Sequence, residues 1–225
     1  MKINKVIQTA ALVLGTMTIP ASATTIDFLG NDQVMGMDIT IHADGQEVTW
    51  FSGFTNLIFD GMQHQTAFCV DAFTEIWNGN HQIIVEDPST LTGGGRMAWL
   101  MQNMLNTVTT PVAAAGMQLA IWDIAHDDGN GFNAGRIQAA GNLTDAAVLS
   151  AAQNFLDSSV DGVSLNASIY SNISGREYAQ ALISCGGSGN SCGDGPGGEV
   201  PEPGTMATLV IGIAATALGL RRRKA

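Results

Sequence analysis

An apolar run lies at each end of this 225-residue chain, and the two together confine any folded domain to the stretch between them. Lys2 and Lys5 precede an apolar segment over residues 6–19, and Ala21, Ser22 and Ala23 offer small residues for cleavage. That order of parts is a secretory signal peptide over residues 1–23, removed rather than folded. The second run, residues 206–220, is followed at once by Arg221, Arg222, Arg223 and Lys224. It is shorter than the ~20 residues that usually span a bilayer, although flanking arginines can snorkel and thin membranes accept shorter spans. It is expected to form one hydrophobic helix within residues 205–225, with its basic end left in the cytoplasm.

Charge separates the middle from the ends. Of nine lysines and arginines only Arg96, Arg136 and Arg176 lie inside, against all twenty carboxylates, so residues 24–204 carry a formal charge of −17. A surface so acidic excludes nucleic acid and anionic membranes as partners, because both need a basic footprint. Residues 186–204 are dominated by Gly, Ser, Asp and Pro. They read as the greater part of a flexible linker over 185–204.

Residues 24–184 then have the size of one domain. Met35, Met37, Ile39 and Ile41 alternate with polar or small residues, as in a half-buried strand. Residues 48–54 and 56–59 suggest two further strands around Gly53, and 83–85 another, while Asp44-Gly45 marks a hairpin turn. Helical spacing follows. Met97, Leu100, Met101, Met104 and Leu105 share one face, and Thr110-Pro111 supplies a cap and first-turn pair for a helix ending near Asp128-Gly129. A third helix runs from a Thr144 cap through Leu156, and residues 163–170 return to strand. The class is α+β: a strand-rich N-terminal half packed with a helical subdomain, then the linker and one C-terminal hydrophobic helix.

The tail has a recognisable form. Pro201, Glu202 and Pro203, the apolar run and the arginine-rich end together resemble the PEP-CTERM sorting signal of Gram-negative bacteria that make exopolysaccharide. A permanent single-pass anchor is the alternative, but it has no use for the proline motif. The resemblance implies export through the inner membrane, transient anchoring there, and processing by an exosortase as partner. The destination is then the outer surface or extracellular matrix.

Three cysteines remain to be placed. Cys185 and Cys192 are separated only by Gly, Ser and Asn, a spacing that opposes closure little, and export favours a disulfide between them. Cys69, in Phe68-Cys69-Val70, is then left alone. By itself it reads as a small buried hydrophobe, and a disulfide to Cys185 or Cys192 is equally compatible with sequence. Gln118 is the one amide in the apolar Met117-Gln118-Leu119-Ala120-Ile121-Trp122 segment. An unpaired buried amide costs about 1–3 kcal/mol, so it needs partners, solvent or a reaction that consumes it.

These two motifs, in this order and spacing, resemble the thioester domains of bacterial surface adhesins. In that family an aromatic-Cys-aliphatic cysteine is joined to the glutamine of a Gln-x-Ala-Ile-Trp motif. The matching positions are Cys69, flanked by Phe68 and Val70, and Gln118, followed by Ala120, Ile121 and Trp122. Met117 stands where that family often has threonine, and the adhesins are mostly Gram-positive with stalk domains, which loosens any inference about the target. The resemblance implies an internal Cys69–Gln118 thioester able to couple once to an amine or hydroxyl on a surface or matrix partner. Such a domain is consumed as it couples and is not an enzyme. For the bond to close, the fold must hold the pair near attack geometry and is expected to lower the thiol pKa. The runner-up is a non-covalent structural or glycan-binding protein of the exopolysaccharide matrix.

No cofactor is called for. His64, His81 and His126 form no metal-binding pattern, whereas Asp123, Asp127, Asp128 and Asn130 crowd one helix exit without matching a calcium loop. Trp50, Trp77, Trp99 and Trp122 read as core and rim.

Overall fold

The computed structural model describes residues 24–61, 63–161, 167–172 and 180–185. In chain order these form β1 (Thr24–Ala43), β2 (Gln46–Phe59), β3 (Gln63–Cys69), β4 (Gly79–Glu86), α1 (Gly94–Met104), α2 (Pro111–Asp127), β5 (Ile137–Ala139), α3 (Ala146–Ser158), β6 (Ala167–Asn172) and β7 (Leu182–Cys185). The architecture is mixed α+β, as the patterning predicts. The signal peptide, most of the linker, Cys192, Pro201, Glu202, Pro203 and the C-terminal apolar run lie outside the described residues. Among the described residues no helix is long and apolar enough to cross a membrane.

Every strand pairing is antiparallel, and six of the strands close on themselves in the order β1-β2-β3-β7-β6-β4 and back to β1. The length of β1 makes this possible. One edge follows β2 from Ile26 to Ala43, while the other is divided between β4 at Thr24–Phe28 and the short β5 at Ile41–Ala43. Closure hides strand edges that an open sheet would present to other chains.

Local chemistry explains the hairpin. Asp44 and Gly45 both adopt positive φ, 48° and 76°, the tight turn whose twist suits two antiparallel strands. Ile39, Ile41 and Ala43 then alternate into the core. Where two strands were expected around Gly53, β2 is continuous: a Cβ at Gly53 would lie 2.4 Å from the Gly36 Cα, so glycine lets two backbones touch instead of breaking the strand. Long-range pairing outweighs the local signal.

The helices stack beside this ring. Thr110 accepts the Ala113 N–H as N-cap of α2, Pro111 occupies the first turn, and the helix stops at Asp128 in left-handed conformation. Residues 114–124 are all buried, so α2 is enclosed on every face, with Gln118 and Asp123 as its polar exceptions. The cap of α3 is Asp145, not Thr144. The Asp145 carboxylate accepts the Ala147 and Val148 N–H groups, whereas the Thr144 hydroxyl donates to the Thr40 carbonyl and accepts the Ala140 N–H. The expected strand over 163–170 is β6, beginning at Ala167; residues 162–166 lie outside the described set.

Gly116 sets how closely α2 and α3 approach. A Cβ there would meet the Ala151 Cβ at 2.6 Å and the Ala152 nitrogen at 2.9 Å. Gly116→Ala is therefore expected to destabilise the fold by about 1–3 kcal/mol despite alanine's better helix propensity, read as a lower urea midpoint. A midpoint unchanged or raised would show that the two helices part freely.

Candidate functional site

Cys69 is the last residue of β3, opposite Leu182 of β7. The Val70 N–H donates to the Ala181 carbonyl at 2.8 Å, which makes Val70 and Ala181 the hydrogen-bonded pair and turns the Cys69 peptide groups away from β7. On that other side the β2 register ends at Thr55 opposite Ala67, two residues before Cys69. Two buried backbone groups would be orphaned there. The Gln118 side chain takes them both: its Oε1 accepts the Cys69 N–H at 2.9 Å and its Nε2 donates to the Cys69 carbonyl at 2.6 Å. The amide stands in for the next peptide of a missing strand.

Gln118 can do this because α2 carries it, 1 % exposed, against the strand ring. The flanking residues hold the pair in place. Phe68 is fully buried and meets Phe54 edge-on at 5.1 Å, Val70 is buried, and Ala120 and Ile121 belong to the core. Trp122 packs edge-on to Trp50 at 5.8 Å, and its Nε1 has no hydrogen-bond partner among the described residues. Trp50 and Trp122 border a cavity of about 280 Å³ that Cys69 also lines, together with Glu75, Asn78 and Gln180. Val70 and Asp71 border a second cavity of about 300 Å³ with Thr90 and His126.

The thiol does not have the lowered pKa that the sequence reading expects. Burial pushes Cys69 up to about 12, and the negative charge of Asp71 adds to the effect. A buried apolar setting without a neighbouring cation cannot stabilise a thiolate. Among the described residues Cys69 takes part in no disulfide; Cys185 is buried at the end of β7, and its expected disulfide partner Cys192 lies outside the described residues.

His126 belongs to no metal-binding pattern in the sequence. The structure puts it beside the site: its Nε2 accepts the Ala72 N–H at 3.1 Å and lies 3.6 Å from Asp71 Oδ1. Gln180 was not singled out at all, yet its amide donates to the Asp71 carbonyl. No local pattern could have marked either residue, since both act on a segment far away in the chain.

The aspartates at the α2 exit organise backbone. Asp127 accepts the Arg136 and Ile137 N–H groups, and Asp123 Oδ2 accepts the Gly131 N–H at 3.1 Å. Asp123 Oδ1 has no partner among the described residues, and burial raises that carboxyl to about 6. His64 and His81 sit apart on β3 and β4. Among the described residues no three His, Cys, Asp or Glu side chains converge as a metal-ligand set.

Residues 199–224 match the PEP-CTERM protein-sorting motif. The motif implies an exosortase partner, export and eventual surface localisation. No curated protein sequence matches the chain. Among solved structures, it is similar to the N-terminal domain of the Streptococcus pyogenes pilus tip adhesin Cpa, at 15 % identity and a TM-score of 0.39, over 69 % of this chain and 94 % of that one. It is also similar to the N-terminal thioester domain of fibronectin-binding protein SfbI from Streptococcus pyogenes, at 11 % identity and a TM-score of 0.38, over 59 % and 85 % of the respective chains.

Proposed function

We propose that this is an exported surface or matrix protein in which Cys69 and Gln118 close an internal thioester that couples once to an amine or hydroxyl on a partner. The observation that carries this reading is the pairing of the Gln118 amide with the backbone of Cys69 itself. Attack by sulfur on the amide carbon would place negative charge on Oε1, where the Cys69 N–H already donates. As the carbon–nitrogen bond breaks, the thiol proton passes to nitrogen and ammonia leaves. Cysteine and glutamine are thus converted to thioester and ammonia with no external acid or oxidant.

The raised thiol pKa fits a proton that travels with the reaction better than a preformed thiolate. A partner amine reaching the cavity beside Cys69 would then attack the thioester carbon, forming an amide with the former Gln118 side chain and returning the Cys69 thiol. The domain is spent in the act, so it is a coupling module and not an enzyme. Export, transient anchoring in the inner membrane and processing of the tail would precede it. The second reading is non-covalent, as a structural or glycan-binding matrix protein. It is favoured by the same two hydrogen bonds, which satisfy Gln118 without any reaction.

Intact mass separates the two. The protein is expected to be lighter than its sequence by one ammonia, beyond any disulfide loss. Methylamine should add its full mass at Gln118 and free one thiol, and Cys69→Ala and Gln118→Ala should each abolish both effects. Freshly prepared protein with an amide-bearing Gln118 beside a free Cys69 thiol would overturn the covalent reading.

A further inference from the structure

His126 follows Gln118 by two turns on α2, and the two side chains seize the same short piece of chain. Gln118 holds the peptide groups of Cys69 at 2.9 and 2.6 Å, and His126 holds the Ala72 N–H at 3.1 Å. Eight helical residues advance about 12 Å, so Gln118 meets the last residue of β3 and His126 the chain just beyond it. The opposite side is held by residues 180–181: the Val70 N–H donates to the Ala181 carbonyl, and the Gln180 amide to the Asp71 carbonyl. Only the α2 side depends on a group that can change its proton count.

We infer that His126 is a positioning residue for the Cys69–Gln118 pair: its unprotonated Nε2 locks the 69–72 segment in register against α2, and protonation releases it. This rests on the thioester reading proposed above. An Nε2 that accepts from Ala72 carries no proton. Once protonated, it would point a donor at a donor, and the Asp71 carboxylate, 3.6 Å away, is the acceptor to which it would turn. On the α2 side the segment would then be held by Gln118 alone.

The groups around the ring define when this happens. Asp71 faces it from the loop after β3, Asp44 from the β1–β2 turn, Arg136 from the approach to β5, and Asp127 from α2 itself. Arg136 is bound to Asp44 at 2.7 Å, and the Phe73 ring stands edge-on to the imidazole at 4.8 Å. Burial is the largest influence and moves the histidine below its ordinary 6.5. A depressed folded value means that the contribution of the neutral ring is full above about 6.5 and is lost as pH falls through the folded value.

The test uses the full-length chain and its His126→Gln and His126→Phe variants. Closure after refolding is read as methylamine incorporation at Gln118 across pH 5–8. Glutamine places an acceptor oxygen near the Nε2 position without titrating; phenylalanine keeps a ring without an acceptor. Relative to His126→Gln, wild-type closure should lose an extra factor of about ten per pH unit once the histidine protonates. His126→Phe should close at least tenfold more slowly than His126→Gln at every pH while keeping its folded circular dichroism.

A His126→Phe variant with wild-type rate and pH profile would overturn the inference, as would a His126→Gln variant that keeps the extra acid dependence. Should wild type form no thioester at any pH, the covalent reading falls, and hydrogen exchange decides the clamp on its own. In that case the Cys69 and Ala72 amides should exchange at least tenfold faster in His126→Phe than in wild type at pH 7. Equal exchange would remove the positioning role.

Discussion

Gln118→Leu should unfold at far lower denaturant than Cys69→Ala, which cannot close a thioester and so keeps the Gln118 amide. The substitution preserves bulk on an enclosed helix but orphans the Cys69 N–H and carbonyl, which have Gln118 as their partner. Two unpaired buried peptide groups cost on the order of 2–5 kcal/mol together, a large share of a domain's stability. Gln118→Glu refines the result. A protonated carboxyl can accept from the N–H and donate to the carbonyl, whereas a carboxylate confronts the Cys69 carbonyl with a second acceptor. The folded state therefore raises the pKa of the introduced acid, so its stability should be greatest below the ordinary glutamate value and fall as pH rises through the folded one. Urea titrations at pH 4 and pH 8 check this. A Gln118→Leu variant with the midpoint of Cys69→Ala would mean that the amide contributes nothing to holding β3.

The second large effect concerns Cys69 as a thiol. With a pKa of about 12, the folded protein holds very little thiolate near neutrality. In any form where the thiol is free, including methylamine-opened protein, alkylation by iodoacetamide at pH 8 should be about a thousandfold slower than for an exposed cysteine. Guanidinium should abolish the difference. Fast labelling in the folded state would place the sulfur in a more open or more positive setting than its 8 % exposure allows.

Much of the local structure could be read in advance because its causes are local. The Thr110-Pro111 cap, the Asp44-Gly45 turn and the apolar faces of α1 and α3 each involve residues within a turn or two of one another. Closure of the sheet could not be read that way. It depends on β3 and β7, which meet across more than a hundred residues and carry too few alternating positions to stand out. Thr144 and Asp145 are both competent caps, and the choice falls to the Thr40 carbonyl, which engages the threonine hydroxyl. At the site, Cys69 and Gln118 stood out through their motifs, but the environment of the thiol did not. Its raised pKa comes from burial and from Asp71, and an expectation based on chemistry alone had the opposite sign.

The position of β7 has a mechanical consequence. The chain leaves the described fold at Cys185, toward the tail that sorts the protein, while Cys69 lies opposite Leu182 at the other end of the same strand. A tether at the Gln118 side chain, which lies against Cys69, and a pull on the chain beyond Cys185 would therefore act across roughly 10 Å of strand. Because β7 is paired on both sides, with β3 and with β6, tension directed along its axis would load the hydrogen bonds of both ladders in shear, all at once, instead of peeling them one by one. Four residues inserted late in the chain would then be the joint through which a bound cell or matrix is held.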